Sequence, residues 1–381
     1  MTAAGFVTGR RASVVLTLLI AILACQPARQ AEPPDSSPST EERQQVLVEQ
    51  IEAGRRAAAG DWQPWFQELQ RLNRNDLARE PFYLKTFTER EVYDAAHVRA
   101  ILEGRTVVDL DELSEPVAVL ADLARQLRGR GIDFLVAVVP PRTVVYPEYF
   151  GLPVPESADA HPFLDFRLRE VYLALERQGV EVVDLLPALR EQRFRTIENR
   201  DGDPYREAVF MWQDAHWSSW AGEIAAEVIA ERIRRYPWFE EMARRQGRPL
   251  LVAETRWIRA RGPLARRMIA NGTLDDVPKE LYPTRSIRIL GEKWSLEDSE
   301  SPILLFGSSY TRPIHSLPDF LLEELGFRVD RLTVVGGQQS ALLRTLSERG
   351  SDLLEKKLLL WVFPSYGLAG RYWQPTVIFP D

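Results

Sequence analysis

Three stretches of almost unbroken apolar residues constrain the fold of this chain most: 132–139, 302–306 and 358–363. Runs of this kind are typical of strands buried on both faces, as in parallel sheets. Stretches with helical periodicity separate them, and some end at a glycine, a common residue just beyond a helix. The other predicted elements are strands at 180–185, 208–212 and 327–335 and helices at 113–128, 165–178, 221–235 and 317–325. This alternation predicts a three-layer α/β/α fold around a central, mainly parallel sheet.

The residues before this alternating region form a separate unit. Residues 41–89 begin with acidic side chains, and their apolar residues recur at helical spacing. We interpret them as a helical N-terminal cap on an α/β domain that spans 90–381, and we expect Trp62 and Trp65 to pack in a core. Within the α/β domain, residues 236–300 are charged and weakly periodic, which indicates an insertion.

The first residues have the features of an export signal. Two arginines precede the apolar run 13–24, which suits a signal peptide and is too short to span a bilayer. The run ends at Cys25, the only cysteine of the chain, in a pattern that resembles a bacterial lipobox. The leader 1–25 is thus a signal peptide with a lipidated cysteine or, alternatively, an uncleaved anchor. Either one, followed by a Pro- and Ser-rich linker at 26–40, predicts a membrane-tethered protein of the periplasm or outer cell surface.

Charge argues against a nucleic-acid-binding protein, and the cysteine content excludes a protein stabilised by internal disulfides. The formal net charge of −7 argues against a general nucleic-acid-binding protein, which needs a basic face to neutralise phosphates. A single cysteine permits no internal disulfide, so stability must come from burial of the core.

Basic residues do cluster locally, and we interpret the cluster as a solvated helix face, with an anionic-ligand patch as the alternative. Its members are Arg256, Arg259, Arg261, Arg266 and Arg267.

Chemically distinctive residues follow two predicted strands. Asp214 and His216 follow the strand at 208–212, and Gly307 and Ser309 follow the strand at 302–306. A serine hydroxyl needs a base within hydrogen-bond reach, and the base needs an acid that orients it. The sequence therefore predicts that Ser309 is a nucleophile, His216 its base and Asp214 the orienting acid. The backbone N–H of Ser309 would also suit a developing oxyanion.

Other readings of these residues are less complete. An Asp-x-His pair in a loop can be a plain hydrogen-bonded pair, and a catalytic metal would need a third ligand that the motif lacks. A second acid–histidine pair, Asp94 and His97, lies on a predicted helix, where residues three apart simply face the same side. Of the other histidines, His315 could line the same cleft as Ser309, whereas His161 is interpreted as a loop residue.

The order of the motifs adds a family resemblance. Asp214-Ala215-His216-Trp217 followed much later by Gly307-Ser308-Ser309-Tyr310 resembles the SGNH-hydrolase-like domain of the periplasmic alginate O-acetyltransferases, over about residues 90–375. That resemblance implies an SGNH-hydrolase-like, flavodoxin-like fold. Weaker matches are Pro140-Pro141-Arg142, Tyr146-Pro147-Glu148, Gly262-Pro263-Leu264, Gly336-Gly337 and Trp361-Val362-Phe363-Pro364. The chain departs from the family at Ser365, where an arginine is usual, and at Gln338 and Gln339.

The resemblance also implies a function. Ser309 would carry an acetyl group and pass it to a hydroxyl of an exported polysaccharide, with a membrane-bound O-acyltransferase as the donor partner and without a metal or another cofactor. Two other functions stay open: an esterase or deacetylase, and a non-catalytic polysaccharide-binding scaffold. The candidates for the oxyanion hole and substrate contacts are Gly336, Gly337, Gln338, Arg142 and Tyr310.

Overall fold

The computed structural model describes part of the chain, and all structural statements refer to that part. The described residues are 38–67, 82–83, 92–93, 110–150, 154–155, 163–270, 278–292, 298–335, 339–368 and 373–379. The predicted export signal with Cys25, the histidines His97 and His161 and the loop 336–338 lie outside these ranges. No helix within them is long and apolar enough to cross a bilayer.

A five-stranded sheet with only parallel pairs forms the centre of the domain, as the apolar runs predict. Its strand order is β10-β9-β11-β3-β4. The strands are β3 (Asp133–Val139), β4 (Glu181–Asp184), β9 (Ile303–Gly307), β10 (Asp330–Thr333) and β11 (Leu358–Pro364). Every residue of β9 and β11 is buried, because each of these strands has a neighbour on both sides and helices on both faces.

Helices cover both faces and create two cores. Alternate residues of β3 point to opposite faces: Leu135 and Ala137 belong to one apolar cluster, and Phe134 and Val136 to the other. The confirmed architecture is therefore three-layered. The longer helices of the domain are α2 (Leu110–Arg128), α4 (Phe166–Arg177), α6 (Ser219–Ile233), α9 (Leu317–Leu325) and α10 (Gln339–Glu348). The shorter ones are α3 (Arg142–Val145), α5 (Leu186–Glu191), α7 (Phe239–Gln246), α8 (Pro263–Ala270) and α11 (Gly350–Leu353).

The predicted strand at 208–212 is wrong. The chain instead forms β6 (Pro204–Ala208), which pairs antiparallel with β5 (Phe194–Glu198) in a two-stranded ribbon outside the main sheet. The apolar residues 209–211 that follow are buried in an irregular segment. A short apolar run reports burial, and its periodicity does not distinguish a strand from a buried turn.

The charged region 236–300 is more regular than predicted. It contains a long antiparallel ribbon of β7 (Leu251–Ala260) and β8 (Glu280–Ile289), with ten paired residues on each strand. Consequently Arg256 and Arg259 lie on a strand and Arg266 on helix α8, so the prediction of one helix face is wrong. Most ribbon residues are only partly buried, and such a strand shows no clean apolar alternation in its sequence.

The N-terminal region packs on the domain through helix α1 (Thr40–Ala59). Ser39 and Glu42 form a reciprocal capping box at its start, and Gly54 lets it approach α4 so closely that a Cβ would lie 2.2 Å from the Phe163 carbonyl oxygen. Trp62 and Trp65 are buried, which confirms their predicted core packing. Further along, the predicted helical cap contains a short strand instead: β1 (Phe82–Tyr83) pairs antiparallel with β2 (Val92–Tyr93).

A buried ion pair at the amino end of β10 gives a test of the fold. Lys356 Nζ lies 2.9 Å from Asp330 Oδ2, and both side chains are almost fully buried. We expect Lys356→Met to lower the free energy of unfolding by about 3 kcal/mol in urea denaturation, because it leaves a buried, poorly compensated carboxylate. The exposed pair Arg245–Glu241 is the control, and Arg245→Met should cost less than about 1 kcal/mol. Equal losses of unfolding free energy in the two variants would contradict a stabilising role for the buried pair of Lys356 and Asp330.

Candidate active site

Ser309 follows strand β9 on a tight turn. Its backbone begins a one-turn 3-10 helix, Ser309–Thr311. Gly307 permits this turn, because a Cβ there would lie 2.4 Å from Val362 O and 2.5 Å from Thr311 Cγ2. Thr311 closes the turn by donating from its backbone N–H and its hydroxyl to Ser308 O, at 3.0 and 2.9 Å. The partly exposed Ser309 thus lies at the carboxyl edge of the parallel sheet, where sites of this fold class form.

Asp214 and His216 lie on an irregular turn between strand β6 and helix α6. An isolated antiparallel bridge between Phe210 and Trp217 closes this turn, and Met211 N–H donates to His216 O at 3.3 Å. The two candidate side chains therefore come from a loop that crosses toward the sheet edge, and not from the end of a sheet strand as predicted.

Two reciprocal hydrogen bonds join this turn to the serine turn. The indole Nε1 of Trp217 donates to Tyr310 O at 3.0 Å, and the Tyr310 hydroxyl donates to Ala215 O at 2.7 Å. Trp217 and Tyr310 are fully buried, so these bonds form in a medium that strengthens them. The residues next to Ser309 and His216 thereby fix the distance between the two segments.

The three predicted residues meet in one hydrogen-bonded chain. His216 Nε2 lies 2.7 Å from Ser309 Oγ, and His216 Nδ1 lies 2.6 Å from Asp214 Oδ1. The backbone N–H of His216 also donates to Asp214 Oδ1 at 3.2 Å, which holds the carboxylate beside the ring. With Nδ1 protonated toward the acid, Nε2 is the free acceptor for the serine proton. The arrangement can therefore move a proton from hydroxyl to imidazole.

The carboxylate of Asp214 stays ionised. Burial alone would raise the pKa of Asp214, but its hydrogen bond with His216 and the charge of that ring outweigh burial and hold the pKa below its ordinary value. An ionised carboxylate stabilises the imidazolium that forms when His216 takes up a proton. Among the described residues, no group of three acids, histidines or cysteines could hold a metal ion.

The chain is similar in sequence to known proteins of alginate acetylation and biosynthesis. Residues 104–365 match the family model of the SGNH hydrolase-like domain of acetyltransferase AlgX. The chain belongs to this family. The probable alginate O-acetylase AlgJ of Pseudomonas fluorescens is 26% identical over 258 residues, which cover 65% of this chain and 60% of that protein. The alginate biosynthesis protein AlgX of Pseudomonas aeruginosa is 23% identical over 292 residues, covering 74% of this chain and 57% of that protein.

Two solved structures share the fold of this chain. The O-acetyltransferase domain of Pseudomonas putida AlgJ superposes with a TM-score of 0.57 at 19% identity, covering 76% of this chain and 92% of that one. Pseudomonas aeruginosa AlgX gives a TM-score of 0.50 at 20% identity, covering 68% of this chain and 59% of that one. This chain spans about three fifths of the length of the curated AlgJ and AlgX relatives reported above.

The other residues predicted to contact the oxyanion or the substrate of this SGNH hydrolase-like domain lie in different surroundings. Tyr310 is fully buried and its hydroxyl donates to Ala215 O, so it supports the serine turn, and its predicted contact with a substrate stays a prediction. Arg142 is buried, and its guanidinium lies 5.6 Å from the ring of Phe210 under the histidine turn. Its predicted contact with a substrate oxygen stays a prediction. So do the roles of Gly336, Gly337 and Gln338, which lie outside the described residues.

Sequence reasoning missed a carboxylate that holds the histidine turn. Glu280, the first residue of β8, accepts the backbone N–H groups of Trp212 and Gln213 at 2.8 and 2.9 Å, one on each oxygen. Gln213 in turn donates to Pro278 O at 2.6 Å. Gly262 packs so closely that a Cβ would lie 1.9 Å from Gln213 O. The Gly-Pro-Leu match at 262 marked this contact, whereas nothing in the sequence singled out Glu280.

A second missed feature is the position of His315. It was expected to line a cleft, yet it is only 2% exposed. Its ring stacks on the ring of His216 at a centroid distance of 4.8 Å and an interplanar angle of 19°. The serine turn of this chain thus leads directly into a residue that contacts the His216 ring.

The environment of Glu280 predicts a pH-dependent stability. Burial raises the pKa of Glu280 to about 7 from an ordinary value of 4.5, although two backbone N–H groups and Arg142 lower it. Between these values the folded protein binds a proton that the unfolded chain releases, so this group's contribution to stability falls as pH rises. Relative to Glu280→Gln, the wild type should lose about 1–3 kcal/mol of unfolding free energy between about pH 5 and 7.

Urea denaturation at several pH values measures this difference directly. Any constant offset from the lost hydrogen bond cancels, because only the change with pH is compared. The quantity compared is the unfolding free energy of the wild type minus that of Glu280→Gln. A value that does not vary with pH, or one that rises with pH, contradicts the raised pKa of Glu280.

Proposed function

We propose that this domain is a serine-dependent O-acetyltransferase that acts on an exported, alginate-like polysaccharide. One observation carries the proposal: Ser309 Oγ, the His216 ring and Asp214 form an unbroken hydrogen-bonded chain at a sheet edge. The names of the AlgJ relatives, which are called probable alginate O-acetylases, support transfer to a sugar over simple hydrolysis. The chemistry needs no metal or other cofactor, because nucleophile, base and acid are all protein groups.

The reaction would proceed in two half-reactions. Ser309 Oγ attacks the carbonyl carbon of an acetyl donor while its proton moves to His216 Nε2. The intermediate collapses, the leaving group departs with that proton, and an acetyl ester remains on Ser309. A sugar hydroxyl then gives its proton to His216 and attacks this ester. The new sugar ester forms, and the proton returns to Ser309 Oγ.

Charge that develops on the carbonyl oxygen needs donors. The backbone N–H of Ser309 is the first of its 3-10 turn, where the turn itself offers no acceptor. We assign it as one oxyanion donor. The second donor would come from the backbone N–H of Gly336 or Gly337 or from the side chain of Gln338.

The cellular setting follows from the leader and from the family. An export signal that ends at Cys25, through lipidation or as an uncleaved anchor, would tether the domain in the periplasm or at the outer cell surface. Acetyl groups would then come from the cytoplasm, and a membrane-bound O-acyltransferase would be the partner that delivers them. The substrate would be a polysaccharide on its way out of the cell.

Replacing the nucleophile gives the direct test. Ser309→Ala should lower turnover of an activated acetyl ester by at least about a thousandfold, because no other group can carry the acetyl. The adjacent Ser308→Ala is the matched control and should retain turnover within a few fold. Ser309→Ala that keeps its turnover, with the thermal melting point unchanged, would end the proposal.

The acceptor is tested separately. Wild-type protein is incubated with an acetyl donor, with and without mannuronate oligosaccharides, and acetyl is followed by mass spectrometry. We expect oligosaccharides heavier by one acetyl group and less free acetate than without acceptor. Free acetate in equal amounts in both reactions, with no acetylated sugar, would replace the transferase by an esterase.

A further inference from the structure

We propose that His315 is a positioning residue that holds the His216 ring toward Ser309 and stays uncharged while His216 takes up the proton. This proposal rests on the proposed function, in which His216 is the base. It assigns a role to a buried histidine that is not itself part of the hydrogen-bonded chain from Ser309 to Asp214.

The contact between the two rings is extensive. His216 and His315 stack nearly parallel, with centroids 4.8 Å apart. The Tyr310 ring also contacts His216 at 4.8 Å, tilted by 50°. The His216 side chain is itself 19% exposed, so solvent leaves it room to turn. The hydrogen bond to Asp214 would by itself leave the His216 ring free to rotate about its side-chain torsions. The two ring contacts restrict this rotation.

The backbone around His315 is held unusually firmly. Ser316 adopts a left-handed conformation with φ of 61°, the only described non-glycine residue to do so, and such a conformation is strained for a residue with a side chain. Gly222 of helix α6 lies so close that a Cβ would be 2.2 Å from His315 O. The Ser316 hydroxyl bonds to Ser219 and to Arg285 O. Neighbours on α6 and β8 thus determine where the His315 ring lies.

Burial also determines its charge. Burial has the largest effect on the pKa of His315. Together with the charges of His216 and Arg312 it lowers this pKa to about 3, although Asp214 and a hydrogen bond with the Trp217 backbone oppose the shift. We therefore expect the His315 ring to be neutral from about pH 5 upward. A second positive charge would repel the imidazolium on His216, and the neutral ring avoids this repulsion.

Positioning of this kind affects the rate more than the fold. A base that leaves its hydrogen-bond distance to the serine hydroxyl loses most of its effect, and a misplacement of about 1 Å can cost about a hundredfold. Removing the ring of His315 should thus slow acylation of Ser309 while Asp214, His216 and Ser309 all remain present.

The test compares three variants of the full chain. His315→Gln keeps a similar volume and removes the ring, and His315→Phe keeps a flat ring and removes its nitrogens. Leu321→Ala truncates a buried residue of helix α9 that is not part of the hydrogen-bonded set Asp214, His216 and Ser309. Each is labelled with ¹⁵N-histidine. NMR then reports the Nδ1–H proton between His216 and Asp214. Phosphonylation of Ser309 Oγ by a fluorophosphonate, which releases fluoride and needs the same activation of the hydroxyl, is followed by mass.

We expect a sharp Nδ1–H signal for His216 in the wild type and in Leu321→Ala, and a broadened or lost signal in His315→Gln. Phosphonylation should slow by about tenfold or more in His315→Gln, stay within about threefold of the wild-type rate in Leu321→Ala, and recover in large part in His315→Phe. His315 itself should show neutral-ring shifts from about pH 5 upward.

Two results would overturn the proposal: an unchanged His216 signal and rate in His315→Gln, or protonation of His315 within that pH range. Failure of the proposed function is distinguishable from both. If Ser309 is not a nucleophile, the wild type itself would not react with the probe, and if the enzyme is an esterase, only the acceptor experiment would fail; in both cases the NMR signals would still decide whether His315 positions His216.

Discussion

The hydrogen bond between His216 Nε2 and Ser309 Oγ joins two segments 93 residues apart, and much of the domain serves to hold it. Neither residue lies on a regular element that could fix it alone. The serine turn depends on the close approach that Gly307 permits. The histidine turn depends on the bonds that Trp217 and Tyr310 exchange between the segments. Buried and mutual, these bonds act as a spacer that sets the distance from ring to hydroxyl.

The ribbon of β7 and β8 is part of this support. Glu280 at the start of β8 accepts two backbone N–H groups of the histidine turn. Further along, Arg285 pairs with Glu207 of the other ribbon, and its backbone bonds to Ser219 and Ser316. The insertion thus contacts the Asp-x-His turn and the segment that carries His315.

The sequence predicts all five strands of the sheet, with one strand too many at 208–212, and it singles out the three residues that the structure joins by hydrogen bonds. Strands β3, β9 and β11 are buried on both faces and therefore apolar throughout, which is a strong local signal. The Asp-x-His and Gly-x-Ser motifs are short and chemically distinctive, so they can be read without coordinates. Their contact is expected on chemical grounds, because a serine hydroxyl needs a base and, of the two acid–histidine pairs, only Asp214–His216 follows a predicted strand.

Other features were invisible because they depend on tertiary contacts. The ribbon strands are partly exposed on both faces and carry mixed charge, so no period marks them. The apolar residues at 209–211 are buried in a turn, which their hydrophobicity alone could not distinguish from a strand. Glu280 and His315 act through partners distant in sequence. A lone glutamate or histidine has no local pattern that reveals such a role.

The central claim is that His216 activates Ser309 across this one contact. Intact-mass and peptide mapping after brief exposure to a fluorophosphonate measures it most directly, in the wild type and in His216→Ala. The account predicts a single adduct on the peptide that contains Ser309, formed at least about a hundredfold more slowly without the imidazole. An adduct on another residue, or equal rates in the two proteins, would contradict it.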